Sequence, residues 1–571
     1  MFTLLSPVAP RVRKLFAMFL LVAAPLVADE TAYWSMQSGP SQSSMMAVGP
    51  TPLYDHGLHG EGQIIAVLDT GVDYRSCYFA EPDGSLPPIN TGSPVIGYAW
   101  GNVVPSRRKI IAYDFLYSCD QFPGSPGCDD PSSADAFDNQ GHGTHAAGSA
   151  AGDKGTPIAH DDADAIATGA KLIVQDAGFI GGDNCSQRPG IGCPAVLTPI
   201  LDQAYRQGAR IHSNSWGDRQ GTPSTLPPPT ANYSQSTRDV DAFVWSHPDM
   251  LVVFNTGNYQ SAGQPPASSL SAPGCAKNTL QVGGTRTPDR YNDNWLTPFS
   301  LVGPTRDGRI KPDVVGPAYV TAGDAEVIIG NTCGASYQGG TSWSSPSIAG
   351  AAALVRQYYT DGYYPTGMAT PSNAMTPSAA LLKATIIAAA RPVPYQQLTA
   401  GIDSDTGPVP SYQQGFGFPV LDDALYFPGD RAKLRVADVP ADRGLAEGES
   451  STQRIQFAAG TPAKVVLVWT DPPGVPRSVS DSTSELVNDL DLRVTTPSGA
   501  LLFGNDSLHP GQPDRLNNVE AVSLPAPASG VYTVTVFANH LGDGPRQSYA
   551  LVITGDLSDA AASRVRAVRS R

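Results

Sequence analysis

Positive charge is scarce in this sequence. Across 571 residues, Lys and Arg number 37 against 52 Asp and Glu, for a net charge of −15. A surface so acidic repels nucleic acid and anionic lipid, and neither is expected as a partner. Charge of either sign is thin, at 16% of residues. Long apolar runs are missing too. The run from Leu15 to Ala28 has 14 residues, short of the ~20 that cross a bilayer. Arg11, Arg13 and Lys14 precede it, so residues 1–28 read as a secretory signal peptide cleaved after Ala28, not as an anchor. The expected location is secreted, extracellular or periplasmic. There is no Cys-x-x-Cys, which argues against a zinc site. The seven cysteines suit disulfides in a secreted chain. Cys119 with Cys128, and Cys185 with Cys193, bracket short loops and read as local pairs. Cys77, Cys275 and Cys333 remain, and the odd count leaves at least one without an intrachain partner.

What is abundant is apolar side chain, at 41%, with 58 Gly and 52 Pro. The chain can bury a large core and is rich in turns. Residues 29–50 are polar and read as a short leader or linker. The run Gln63-Ile64-Ile65-Ala66-Val67-Leu68 is a strand buried on both faces, ending at Asp69-Thr70-Gly71. A loop-rich stretch follows to Asn139. Strand and helix patterns then alternate, with strands at 171–175, 210–214, 250–254 and 279–283 and helices at 198–207, 237–246, 342–359 and 378–390. Alternation of this kind predicts an α/β fold: a mostly parallel sheet covered by helices on both faces, over residues 51–428. Residues 429–556 change character. Short runs at 463–469, 489–495, 531–537 and 549–554 are separated by turns with no helix, which predicts an all-β sandwich. Residues 557–571, with four arginines, read as a solvated basic tail.

Three short signals carry chemistry. Asp69 ends a strand, at the sheet edge where open α/β folds place their sites. His142 lies in Gly141-His142-Gly143-Thr144-His145, which opens a helix of small residues. Ser342 lies in Gly340-Thr341-Ser342, which opens an apolar helix with Pro346 expected in its first turn. A serine, a base and an orienting carboxylate form a nucleophilic unit. Each residue also has a plain role open to it: Asp69 and Ser342 as helix or turn caps, His142 as a buried helix-start histidine, and Asn258 as a turn residue after Gly257. The order Asp, His, Ser differs from the chymotrypsin and α/β-hydrolase orders, and no Gly-x-Ser-x-Gly surrounds Ser342. Two other functions compete. Asp-Thr-Gly recurs at Asp405, as an aspartic protease would need, and the β region could serve a catalytically dead binding protein.

With those motifs in place, the chain resembles the subtilisin-family serine proteases over about residues 60 to 425. It is more narrowly similar to the oxidatively stable alkaline-protease branch with a C-terminal jelly-roll. Supporting segments are Gly208–Gly217, Gly303–Asp313 and Leu486–Leu492. The resemblance implies a serine endopeptidase of broad specificity acting on proteins and peptides, with Ser342 as nucleophile, His142 as base and Asp69 as its orienter. It implies Asn258 as an oxyanion-hole donor. Ser215, Trp216 and Gly217 would pair with the substrate backbone, with Asn255 and Thr256 on the opposite wall. No cofactor is required for the chemistry. Asp489 and Asp491, two apart on one strand face, are candidate ligands for a structural calcium ion. A monomer is expected.

Overall fold

The computed structural model describes residues 32–38, 50–91, 101–116, 138, 141–155, 160–179, 190–191, 197–217, 231–259, 265–286, 295–325, 334–396 and 404–559. The expected signal peptide and the two local cysteine pairs lie outside them. Among the described residues, no helix is long and apolar enough to cross a membrane.

The stretch 29–50, read as a short leader or linker, holds the first departure from expectation. Residues Ala32–Ser38 form a helix, α1, with Trp34, Ser35, Met36 and Gln37 buried. Gln37 Oε1 accepts from the backbone N–H groups of Leu53 and Tyr54. A polar-looking stretch is thus docked by two buried apolar side chains and one amide.

The central sheet begins with β1 (Ile64–Asp69). The stretch read as loop-rich contains β2 (Ile110–Phe115), buried along its whole length. Then come α2 (His142–Ala151), β3 (Lys171–Asp176), α3 (Thr198–Arg206), β4 (Ile211–Asn214), α4 (Gln235–Ser246), β5 (Leu251–Asn255), β6 (Leu280–Arg286) and β7 (Val314–Pro317). These seven strands pair in parallel in the order β2-β3-β1-β4-β5-β6-β7, within an eleven-stranded sheet. Side chains of β1 alternate between two cores: Ile65 and Val67 face one, Ala66 and Leu68 the other. That double burial explains why the run is apolar throughout rather than alternating. Chain order reverses at β1, which lies between β3 and β4, so a crevice opens beyond its C-terminal end, at Asp69.

Two long helices complete this part, α5 (Thr341–Thr360) and α6 (Ala379–Ala388). Pro346 is the sixth residue of α5, not in its first turn as expected. Every residue of α6 is buried, which explains its lack of an apolar stripe.

Beyond Phe427 two antiparallel sheets form. One has four strands in the order β8 (Lys433–Val439), β15 (Tyr549–Gly555), β10 (Ala463–Val468), β13 (Val519–Leu524). The other has five, in the order β12 (Leu501–Phe503), β11 (Asn488–Thr495), β14 (Gly530–Leu541), β9 (Ser450–Phe457), β16 (Leu557–Asp559). Between them lie Phe457, Val465, Leu467, Trp469, Leu492 and Ile553 among others. The other face of the four-stranded sheet, with Val466, Val468 and Val552, joins the same core as α6. The supposed tail therefore starts later than residue 557: Leu557 is buried and β16 pairs with β9.

Candidate active site

Asp69, the last residue of β1, is buried. Its Oδ1 accepts the Thr70 N–H at 2.8 Å and lies 2.7 Å from His142 Nδ1. His142 is the first residue of α2, preceded by Gly141 at φ +70°, a left-handed turn suited to glycine. Gly143 allows the approach: a Cβ there would sit 2.0 Å from the Gly71 carbonyl oxygen. The Gly-His-Gly pattern is thus the steric condition for bringing His142 against the strand end.

Asp138 carried no sequence signal that set it among the expected site residues. Its carboxylate accepts from Gly141 N (2.9 Å), Thr144 N (2.7 Å), Thr144 Oγ1 (2.6 Å) and Thr70 Oγ1 (3.0 Å). It caps the start of α2 and ties it to the turn after β1. The available signal was only that of an acidic residue just ahead of a helix start. Burial pushes the Asp138 carboxyl up to about 6, against hydrogen bonds from Thr144 that hold it down. At His142, burial disfavours the charged ring, but the charge and hydrogen bond of Asp69, with Asp138 behind it, raise the imidazole pKa overall.

Ser342 is the second residue of α5 and is buried, at 7% exposure. Its Oγ donates to the Ser215 carbonyl at 3.4 Å. Trp343 packs against His142, with ring centroids 4.8 Å apart, so the start of α5 abuts the Asp69–His142 pair. Asn258 Oδ1 accepts both Thr341 N and Thr341 Oγ1, each at 2.9 Å. Two donors on one atom identify it as the oxygen, which turns Nδ2 towards the space beside Gly340.

Ser215, Trp216 and Gly217 continue from β4, and Asn255 ends β5, the neighbouring strand, with Thr256 just after it. Trp216 stands edge-on to Phe254 at 5.3 Å. Gly217 closes on Ser271, whose Oγ would lie 2.5 Å from an added Cβ. Asn255 and Thr256 are buried, and the Thr256 carbonyl accepts from Ser271 N and Oγ. His145 is a packing residue, its Nε2 3.1 Å from the Ser336 carbonyl oxygen.

Asp489 and Asp491 do not fit a calcium site. Arg515 pairs with both, Arg493 with Asp491, and Asn539 Nδ2 donates to Asp489. The carboxylates already face guanidinium groups. Among the described residues, no group of three or more His, Cys, Asp or Glu is placed to hold a metal. Asp405 is no partner for Asp69 either: its strand is six positions from β1 in the sheet order, about 29 Å at ~4.8 Å per strand. Cys77 is in a disulfide, and Cys275 is a buried thiol whose Sγ donates to the Asn232 carbonyl.

The Peptidase S8 subtilase family model matches residues 60–417. The chain belongs to the subtilase family of serine-type endopeptidases. Among curated proteins it is similar to the Dictyostelium discoideum serine protease/ABC transporter B family protein tagA, with 27% identity over 92% of this chain and 32% of that one. The related tagD of the same organism is 25% identical over 79% of this chain and 28% of its own length. The chain thus spans about a third of the length of those relatives. Among solved structures, the serine protease of Aeromonas sobria is 15% identical, covering 92% of this chain and 95% of that one, with a TM-score of 0.39.

Proposed function

We propose that the chain is a secreted, monomeric serine endopeptidase that cleaves peptide bonds in proteins through Asp69, His142 and Ser342. The observation that carries the reading is the 2.7 Å contact of Asp69 Oδ1 with His142 Nδ1, beside the helix start that bears Ser342. With Nδ1–H donated to Asp69, the lone pair of His142 Nε2 is left for the serine. The Ser342 hydroxyl leaves the Ser215 carbonyl, gives its proton to Nε2, and Oγ bonds to the scissile carbonyl carbon. The oxyanion is received by Asn258 Nδ2 and the Ser342 N–H at the positive end of α5. Asp69 stabilises the imidazolium, which then protonates the leaving amine. Water repeats the cycle on the acyl-enzyme, and no cofactor enters.

Substrate would lie as an added strand along Ser215–Gly217, with Asn255 and Thr256 opposite, which favours broad specificity because backbone groups do the binding. The two antiparallel sheets support the narrower likeness to the alkaline-protease branch with its jelly-roll, and a division into catalytic residues 51–428 and β residues 429–556. A disulfide at Cys77 supports export to an oxidising compartment. The test is labelling by a fluorophosphonate. One equivalent bound at Ser342, lost in Ser342→Ala, is the expected result; labelling elsewhere, or none, overturns the assignment.

A further inference from the structure

The residue after the nucleophile is Trp343, and its indole has unfinished business with hydrogen bonding. Trp343 is 4% exposed, and Nε1 is buried without a hydrogen-bond partner among the described residues. Buried indole N–H groups ordinarily find an acceptor. The position of this one is informative. A methyl group placed on Gly340 Cα would have three nearest neighbours beyond its chain neighbours: Asn258 Nδ2 at 3.6 Å, Trp343 Nε1 at 3.6 Å and Ser342 N at 3.8 Å. All three are nitrogens that carry hydrogen. The space beside Gly340 is lined by donors.

We propose that the Trp343 indole N–H is a third donor to the oxyanion formed at Ser342. This rests on the reading of Ser342 as nucleophile. An indole suits the role because it donates and cannot accept, so it offers the oxyanion a dipole without competing for the His142 proton. Its ring is held by packing alone. It lies 4.1 Å from His145 and 4.8 Å from His142, centroid to centroid. His145 is anchored in turn at the Ser336 carbonyl, and burial keeps its imidazole pKa down at about 4, so a neutral ring backs the indole at working pH. A donor fixed in place before charge develops acts mainly in the transition state.

Two replacements separate the N–H from the ring. Trp343→Phe shortens the ring, whereas 3-benzothienylalanine at position 343 keeps the bicyclic outline and puts sulfur where N–H was. The readouts are kcat and KM on a peptide anilide, the pH profile of kcat/KM, and inhibition by a peptide trifluoromethyl ketone, whose Ser342 adduct carries an oxyanion. In the benzothienyl form kcat should fall about tenfold or more with KM changed less than about twofold, in line with loss of one oxyanion donor. Affinity for the ketone should fall in parallel, and the acid limb of the pH profile should stay in place. A kcat within about twofold of the parent overturns the proposal. So does a fall that travels with a displaced acid limb, since Trp343 would then act through His142. If the parent chain neither cleaves peptides nor takes the fluorophosphonate at Ser342, the endopeptidase reading fails and takes this one with it. Normal parent turnover with unaffected position-343 variants removes the third donor alone.

Discussion

Ser215 Oγ donates at 2.6 Å to the backbone carbonyl of Ser342. That carbonyl is the one Pro346 leaves unmatched, because proline has no N–H to return to the residue four back. A proline inside a helix is costly when the orphaned acceptor is buried. Here the acceptor is met by the segment that follows β4, and Ser345 Oγ adds a second tie to the Asn214 carbonyl at 3.0 Å. The helix that presents Ser342, the proposed nucleophile, is therefore pinned to the strand proposed to hold the substrate.

The pH dependence follows from His142. Its pKa is raised, and as the proposed base it acts only when neutral, so activity should be lost as pH falls through that raised value. The acid limb of kcat/KM should lie above the ~6.5 of a free imidazole. Asp138→Asn removes one of the charges that raise it and should move the limb down. Rates on a peptide anilide from pH 4 to 9 measure both; a parent limb below that value would falsify the assignment of His142.

Asn258→Ala should lower kcat by roughly 10²–10³ with little change in KM, the loss found on removing the oxyanion asparagine of subtilisin. Thr341→Val removes one of the two donors that orient Asn258 and should give a smaller loss of the same kind. An unchanged kcat with a lower melting temperature in Asn258→Ala would place the residue in the turn alone.

The β sheets are clasped to the catalytic part by a buried charge. Lys277 Nζ, fully enclosed, contacts Asp471 and donates to the carbonyls of Pro472 and Glu485. Lys277→Met strands the Asp471 carboxylate in the interior and should cost about 3–5 kcal/mol of stability. Adding Asp471→Asn should recover part of that by removing the lone charge; Val487 N and Asn488 N bond different carboxylate oxygens, so the single amide oxygen keeps an acceptor for one of them and the recovery is partial. Denaturant unfolding of parent, single and double variants decides, and a double variant no better than the single one counts against the clasp.

Glu520 should make the fold sensitive to alkali. It is fully buried, and burial first, then the charges of Asp514, Asp491 and Asp489, raise its pKa well above the ordinary carboxylate value. A carboxyl with a raised folded-state pKa contributes stability fully below the unfolded value, and that stability is lost as pH rises through the folded value. Glu520→Gln keeps an acceptor for Leu492 N and should raise Tm at pH 8, with the gain shrinking towards pH 4. Equal Tm shifts at both pH values would remove the titration from the account.

The motifs were readable because each is a local steric or electronic requirement. An apolar run ending in Asp69, a helix start flanked by Gly141 and Gly143, and Ser342 opening a helix all show in a few adjacent residues. What escaped was decided at long range. Asp138 gains its meaning from Thr70, 68 residues away. The strand Ile110–Phe115 sits in a stretch read as loop, and only its partner β3 shows it to be central. Asp489 and Asp491 looked like cation ligands until Arg515 closed over them.

Taken alone, the amino-acid order determined the α/β class, the strand-end carboxylate, the candidate base and nucleophile, and the change to β structure near residue 429, because periodicity and turn chemistry are properties of neighbouring residues. Only the tertiary structure decided that Ser215 meets the carbonyl that Pro346 leaves, that Thr341 holds the Asn258 amide, and that the buried Trp343 Nε1 lies beside Gly340 with the Asn258 amide nitrogen. Those are matters of which polar atoms face one another once the chain has folded, and burial makes every unmet donor and acceptor count.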